Sequence, residues 1–278
     1  MKKKCVVTFS LLAATWTCHV ALAGVEFCAE CKGLNKHGQW MQLQQFAPGR
    51  ITLQTDPAGI RGTVTRIEVR PGDNVGGWGG ERAERAAMLG RLIAPLTVNA
   101  STPKEYYGIS VKLAPDWHGP DPDPVNGSWG LFMQLHGPDA YKAPPALALG
   151  VSDKFYLNMY SGDVSVANKQ VIGYSLSDAA IAPGKWVDFV VEVVWSTSTN
   201  GSLAIYRRDE GAQTWKTIFN RQGLATLQHR GVEPVEGHYW KTGYYRNPSK
   251  STSVLWLGPM VRATTRSEVE TAAFSVNK

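Results

Sequence analysis

No run of ~20 uninterrupted apolar residues, the length a membrane-spanning helix needs, occurs in the 278-residue sequence. That argues against a helical membrane protein, and no membrane partner is expected. Cysteine is scarce as well. Cys5 and Cys18 lie near the N-terminus, leaving Cys28 and Cys31 as a C-x-x-C with no second pair to complete a zinc site. No βαβ pattern surrounds this pair, which argues against a thioredoxin-like redox role; in an oxidising compartment it is expected to close as a short-loop disulfide. A Ser/Thr/Pro-rich linker is also missing. One domain over 24–278 follows, since all-β sandwiches and barrels reach ~200 to 250 residues as single units.

The stretch Met1 to Ala23 has a basic head (Lys2, Lys3, Lys4), an apolar middle (Leu11 to Ala14) and the ending Ala21-Leu22-Ala23. This is the pattern of a cleaved secretory signal. Cys18 follows Thr15-Trp16-Thr17 rather than the small and aliphatic residues of a lipoprotein signal, so no acylated N-terminus is expected. The protein is expected to be exported to a periplasm or beyond, as a monomer. Removing three lysines and no acid lowers the formal charge from +6 to +3. A mildly basic surface suits a polyanionic partner, and no nucleic acid is expected.

Short runs rich in β-branched and aromatic residues recur: Val64 to Arg70, Tyr107 to Leu113, Leu131 to His136, Ala146 to Val151, Lys154 to Tyr160, Val187 to Trp195, Ser202 to Arg207 and Val254 to Leu257. Turn clusters such as Pro71-Gly72-Asp73-Asn74 and Thr199-Asn200-Gly201 separate them, the texture of an all-β sandwich. In Val187 to Trp195, apolar residues alternate with Asp188 and Glu192, which predicts a half-buried strand with the two acids on its solvated side. Glu81 to Ile93 is ambiguous, because its Ala, Glu, Arg, Met and Leu content favours a helix.

Strand alternation places Phe132, Gln134 and His136 on one face of their segment, opposite Leu131, Met133 and Leu135. In Tyr239 to Asn247 it places Lys241, Gly243 and Tyr245 on one face, with the glycine leaving room for a chain to lie across. Positive charge near Tyr245 is expected to draw its phenol below ~10. Arg66, Glu68 and Arg70 share a face, as do Arg82 and Glu84 if that segment is extended. Arg beside Glu on a strand is usually a surface ion pair worth ~0 to 1 kcal/mol; in a groove it can fix a guanidinium for a substrate carboxylate.

Arg82-Ala83-Glu84, Gln134-Leu135-His136 and Lys241-Thr242-Gly243-Tyr244-Tyr245 occur in the order of three segments that mark jelly-roll polysaccharide lyases. The chain resembles family seven alginate lyases in these motifs. It is similar to the heparin lyase I and glucuronan lyase branch in Gly80 to Glu84 and the ending Lys-x-Gly-x-Tyr-Arg. The resemblance implies a concanavalin-like jelly-roll sandwich of two antiparallel sheets with a concave groove, and β-elimination on an acidic, uronate-containing polysaccharide. By the same resemblance Arg82 and Gln134 neutralise the uronate carboxylate, His136 is base or helper, and Tyr245 donates the proton. Lys241, Glu84, Arg66, Arg70 and Arg246 are then candidates for substrate binding, with Arg66 or Arg70 as alternative carboxylate clamps and Tyr244 as an alternative to Tyr245.

No cofactor is required by such chemistry. Asp116, Asp121 and Asp123 lie in a proline-rich stretch that could offer oxygen ligands to a structural calcium, or form a stiff loop over the groove. The run Glu-x-Asp-x-x-Glu of laminarinase-like hydrolases is absent. The rival from another class is a lectin-like binding module that holds sugar through Trp117, Trp129 and Trp240. Intact-mass measurement of exported protein is expected to give a chain beginning at Gly24; retention of residues 1–23 would contradict the signal reading.

Overall fold

The structure, a computed structural model, describes residues 24–30, 40, 42–77, 79–87, 104–125, 127–231 and 237–274. The predicted signal and Cys31 lie outside them; Cys28 is disulfide-bonded. The strands, in chain order, are β1 (Val25–Ala29), β2 (Gln42–Gln45), β3 (Ile51–Thr55), β4 (Thr63–Val69), β5 (Glu81–Ala87) and β6 (Lys104–Leu113). They continue with β7 (Gly130–His136), β8 (Leu147–Val151), β9 (Phe155–Met159), β10 (Gly162–Asp163), β11 (Ile172–Tyr174) and β12 (Trp186–Val194). The last are β13 (Gly201–Asp209), β14 (Lys216–Leu224), β15 (Gln228–His229), β16 (Tyr239–Arg246) and β17 (Ser253–Ala263), followed by a helix, α1 (Arg266–Phe274). No helix among the described residues is long and apolar enough to cross a membrane.

Two antiparallel sheets face each other. One runs β14-β13-β12-β6-β17-β4-β3 with β1 paired to β17, and the other runs β11-β9-β8-β7-β16-β5-β2. Hairpins such as β12-β13-β14 and β7-β8-β9 make part of each sheet, and between them strands distant in sequence pair, β12-β6-β17-β4 in one and β7-β16-β5 in the other, as in a jelly roll. Between the sheets Ile109, Val111, Phe189, Val191, Leu255 and Leu257 pack against Met133, Leu135, Leu149, Leu157, Trp240 and Tyr244. Each set follows the period of two that a strand with one buried face requires.

The eight strands expected from pattern all form, with ends moved by a few residues. The segment from Glu81 is also a strand as far as Ala87, despite its helical composition. Sheet pairing overrides propensity here, because β5 lies between β16 and β2 and its side chains find partners on both faces. Ala83 packs in the core, whereas Arg85 pairs with Glu30 at 2.6 Å on the inner side.

One expectation about β12 is corrected. Asp188 is not solvated: it is 1% exposed, bonded to Ser110 Oγ at 2.6 Å and ion-paired to Arg61 at 2.7 Å and Arg208 at 2.8 Å. The turn from Asp56 to Gly62 covers this part of the outer face, and Asp56 accepts the Trp186 indole N–H at 3.1 Å. The helix α1 covers another part, packing Val269, Ala273 and Phe274 on Val190 and Val261. Its start is a capping box: the Glu268 amide donates to Thr265 Oγ1 at 3.3 Å, and the Thr265 amide to Glu268 Oε2 at 3.1 Å.

Bulges re-aim the strands that matter for the open face of the seven-stranded sheet. Register shifts fall between Leu131 and Met133 on β7 and between Thr242 and Tyr245 on β16. As a result Phe132 joins the core, contrary to simple alternation, while Leu131 pairs with Tyr245. Gly243 sits at φ +145°, and a Cβ there would overlap the Ala83 carbonyl oxygen of β5. The glycine therefore serves backbone approach between strands, not room for a ligand. Gly243→Ala should destabilise the fold by about 3 kcal/mol through strain and overlap. Denaturant unfolding checks this, and an unchanged midpoint would contradict it.

Candidate functional site

The site is built from β5, β16 and β7, three adjacent strands of the seven-stranded sheet. On β16 Trp240 and Tyr244 pack in the core between the sheets, so Tyr239, Lys241, Gly243 and Tyr245 lie on the open face turned away from it, where Tyr245 is partly exposed and the other three are buried. Register then decides the neighbours. Tyr245 pairs with Arg82, Gly243 with Glu84, Lys241 with Gln134, and Tyr239 with His136. Six polar side chains from motifs far apart in sequence thus share one face. Tyr244 does not join them; it is fully buried and donates to the Val151 carbonyl at 2.8 Å.

Glu84 is the hub. It is 1% exposed, and its carboxylate accepts a short hydrogen bond from Gln134 Nε2. Lys241 Nζ stands 3.2 Å from its Oε2 and Arg82 3.7 Å from the same oxygen. Arg82 also donates to Gln44 Oε1 at 3.4 Å, a contact from β2 that no motif signalled, and its guanidinium lies 3.9 Å from the centre of the Tyr245 ring. Two cations around one carboxylate leave a formal excess of one positive charge. That excess matches a single anionic group on a ligand.

The protonation states follow from geometry. His136 Nδ1 lies 2.7 Å from the Gly137 carbonyl, which can only accept, so Nδ1 carries hydrogen and Nε2 holds the lone pair in the neutral ring. Burial, and then the charge of Lys241, push the His136 pKa below its ordinary value, keeping the ring neutral near pH 7. Tyr245 moves the other way from expectation. Burial raises its phenol pKa, Glu84 adds to the rise, and Arg82 only partly opposes it. The face therefore pairs an unprotonated imidazole with a protonated phenol, and Glu84 acts electrostatically on both.

A second layer was not legible from the motifs. Tyr239 stacks on His136 at 5.1 Å between centroids, and its hydroxyl donates to Asp139 Oδ1 at 2.5 Å. Trp129 meets the Tyr245 ring edge to face at 4.9 Å. Its backbone is held on both sides by Asn247, whose Oδ1 accepts from the Trp129 amide at 2.7 Å.

Several candidates fall elsewhere. Arg66 and Arg70 belong to the opposite sheet, on the outward side of β4, where both pair with Glu68. They are strand-surface ion pairs, and neither reaches the face with Gln134 and Lys241. Arg246 is fully buried on the inward side of β16, bonded to Glu81 at 2.7 Å, Ser253 Oγ at 2.8 Å and the Ser251 carbonyl at 2.6 Å. Its bonds tie β16 to β5 and to the following turn, which removes it from substrate binding. Of the three tryptophans considered for sugar contact, Trp117 and Trp240 are core residues and only Trp129 borders the face. Asp121 accepts from Ser249 Oγ at 3.1 Å and the Lys250 amide at 2.7 Å, fastening a loop. No group of three or more His, Cys, Asp or Glu among the described residues is placed to hold a metal ion.

Residues 32–259 match a family model described as "Polysaccharide lyase". No protein of curated function matches the chain by sequence. Among solved structures, an endo-β-1,4-glucuronan lyase from the fungus Trichoderma reesei aligns with TM-score 0.63 and 13% identity, covering 88% of this chain and 98% of that one. A family 7 alginate lyase solved with product aligns with TM-score 0.52 and 12% identity over 84% and 99% of the two chains. A β-glucanase catalytic domain from Podospora anserina aligns with TM-score 0.50 and 10% identity over 81% and 84%. Lyases and a glucanase share the sandwich, so the fold alone leaves the chemistry to the residues on the open face.

Removing one member of a buried ion cluster strands the others. Glu84→Gln should cost about 3–5 kcal/mol by leaving Lys241 and Arg82 without their counter-charge. Adding Lys241→Met should recover part of that loss. A double-mutant cycle by denaturant unfolding reads the coupling, and additive losses would contradict the hub.

Proposed function

The chain belongs to the polysaccharide lyase family, and from that premise we propose that it cleaves a uronate-containing polysaccharide by β-elimination. Lyase action is the established class; the uronate substrate and the residue roles are our reading. The observation that carries them is the open face itself, where a neutral His136 and a protonated Tyr245 flank the Glu84 hub with its surplus positive charge.

The C5 proton of a uronate is too weakly acidic for a protein base acting alone, so charge growing on the carboxylate must be stabilised as that proton departs. Lys241 and Arg82 supply the cations, and Gln134 has a second amide N–H beyond the one given to Glu84. His136 Nε2 takes the C5 proton, the C4–C5 double bond forms, and the C4–O4 bond breaks. The electron pair stays on the leaving oxygen, which receives the Tyr245 proton. Transfer of a proton from the imidazolium to the phenolate through solvent resets both groups. No water is consumed, and the new chain end is an unsaturated uronate.

Both starting protonation states support this direction of transfer: a depressed imidazole stays available as a base, and a raised phenol stays available as an acid. Hydrolysis by a retaining glycosidase would need two carboxyl groups ~5 to 5.5 Å apart. The hub contains one, and it is already ion-paired. We propose glucuronan as the first polymer to try, because a glucuronan lyase is among the structures alike in fold, with alginate second. Export of the chain would place the enzyme where such polymers occur.

Turnover on either polymer should raise far-ultraviolet absorbance from the unsaturated product. His136→Ala and Tyr245→Phe should each lower kcat by about 10²- to 10⁴-fold. The pH profile carries a sign: kcat/KM should rise as His136 loses its proton, below its ordinary pKa of ~6.5, and stay level until Tyr245 ionises above ~10. Binding of uronate polymers without absorbance change would favour a lectin-like protein.

A further inference from the structure

Beside the hub, on the same open face, a cleft of ≈ 510 Å³ lies over β9 and β11, lined in part by Trp129, Ser152, Lys154, Tyr156, Asn158 and Gly173. Its size is within the ~300–1,000 Å³ of small-ligand sites. The cleft continues the site in register: Lys241 pairs with Gln134, Gln134 with Ala148, Ala148 with Asn158, and Asn158 with Gly173. The two small residues in this row keep the sheet surface low around Asn158.

The walls are fixed before any ligand arrives. Tyr156 crosses β8 over Gly150, where a side chain would overlap its ring, and its hydroxyl exchanges hydrogen bonds with the Gly130 amide and carbonyl at 2.8 Å each. Trp129 is shared between cleft and hub, since its ring also meets Tyr245. Lys154 supplies the positive charge of the cleft: it belongs to the lining, is exposed and makes no ion pair among the described residues. Asp153 also lines the cleft, and its carboxylate accepts from Ser152 Oγ at 2.9 Å.

An ammonium that makes no ion pair, an indole and an amide around a preformed cleft are what an anionic sugar ring needs: a counter-charge, an apolar face and a hydroxyl partner. We propose that this cleft binds the uronate next to the one that reacts, with Lys154 facing its carboxylate and Trp129 its ring, so that Lys154 selects chains of consecutive uronates. The proposal rests on the uronate reading above.

The test uses Lys154→Ala and Lys154→Arg in the full chain. Calorimetric titration with a glucuronan tetrasaccharide and with glucuronate monomer measures binding in the Tyr245→Phe background, and steady-state kinetics measures turnover without that change. Lys154→Ala should weaken tetrasaccharide binding about tenfold, soften its salt dependence, leave monomer binding unchanged, and raise KM with kcat within about twofold. Lys154→Arg should restore affinity. Equal tetrasaccharide binding by Lys154→Ala and its parent overturns the proposal while leaving elimination intact. Lys154-dependent binding without turnover supports the cleft and overturns elimination, and no binding of any uronate oligomer overturns both.

Discussion

A carboxylate taken out of water costs several kcal/mol unless charges and donors replace its hydration, and Glu84 is almost wholly buried on the face of a sheet. The replacements come from three strands: Arg82 from its own strand, Lys241 from β16 and Gln134 from β7. Misplacing any of these strands by one residue would turn its side chain to the other face and leave the carboxylate without that partner. The buried charge therefore constrains the register of the sheet centre, and that register sets His136 and Tyr245 on the same side.

The same cluster explains why the two proposed proton carriers differ in protonation without a metal. Burial alone neutralises both groups, depressing the imidazole and raising the phenol. Lys241 strengthens the effect on His136, and Glu84 strengthens it on Tyr245. An acid and a base with separated pKa values on one face is the arrangement that elimination requires and that plain sugar binding does not. Extension of the face into the Trp129 and Lys154 cleft then gives a polymer a second point of contact.

Much of this was legible in the sequence, for identifiable reasons. Alternation in Val187 to Trp195 and Lys241 to Tyr245 reports which face packs in the core, but not whether the other face is covered, as it is at Asp188. Alternation failed at Phe132, where a bulge adds a residue that composition does not mark. The ambiguity at Glu81 arose because its residues are good helix formers, and only the pairing with β16 and β2 makes them extended. Arg66 and Arg70 were placed correctly on one face of a strand, but a strand's pattern does not say which sheet it joins. The phenol of Tyr245 was expected to fall because neighbouring cations are visible in sequence, whereas the burial that outweighs them is not.

The central claim is spatial, and a crystal structure of Tyr245→Phe protein with a uronate tetrasaccharide tests it most directly. One sugar carboxylate should lie against Lys241, Arg82 and Gln134, with the C5 hydrogen of that ring directed at His136 Nε2 and the glycosidic oxygen beside the ring at position 245. A saccharide bound on the eight-stranded sheet, or one whose carboxylates all turn away from the Glu84 cluster, would contradict the account.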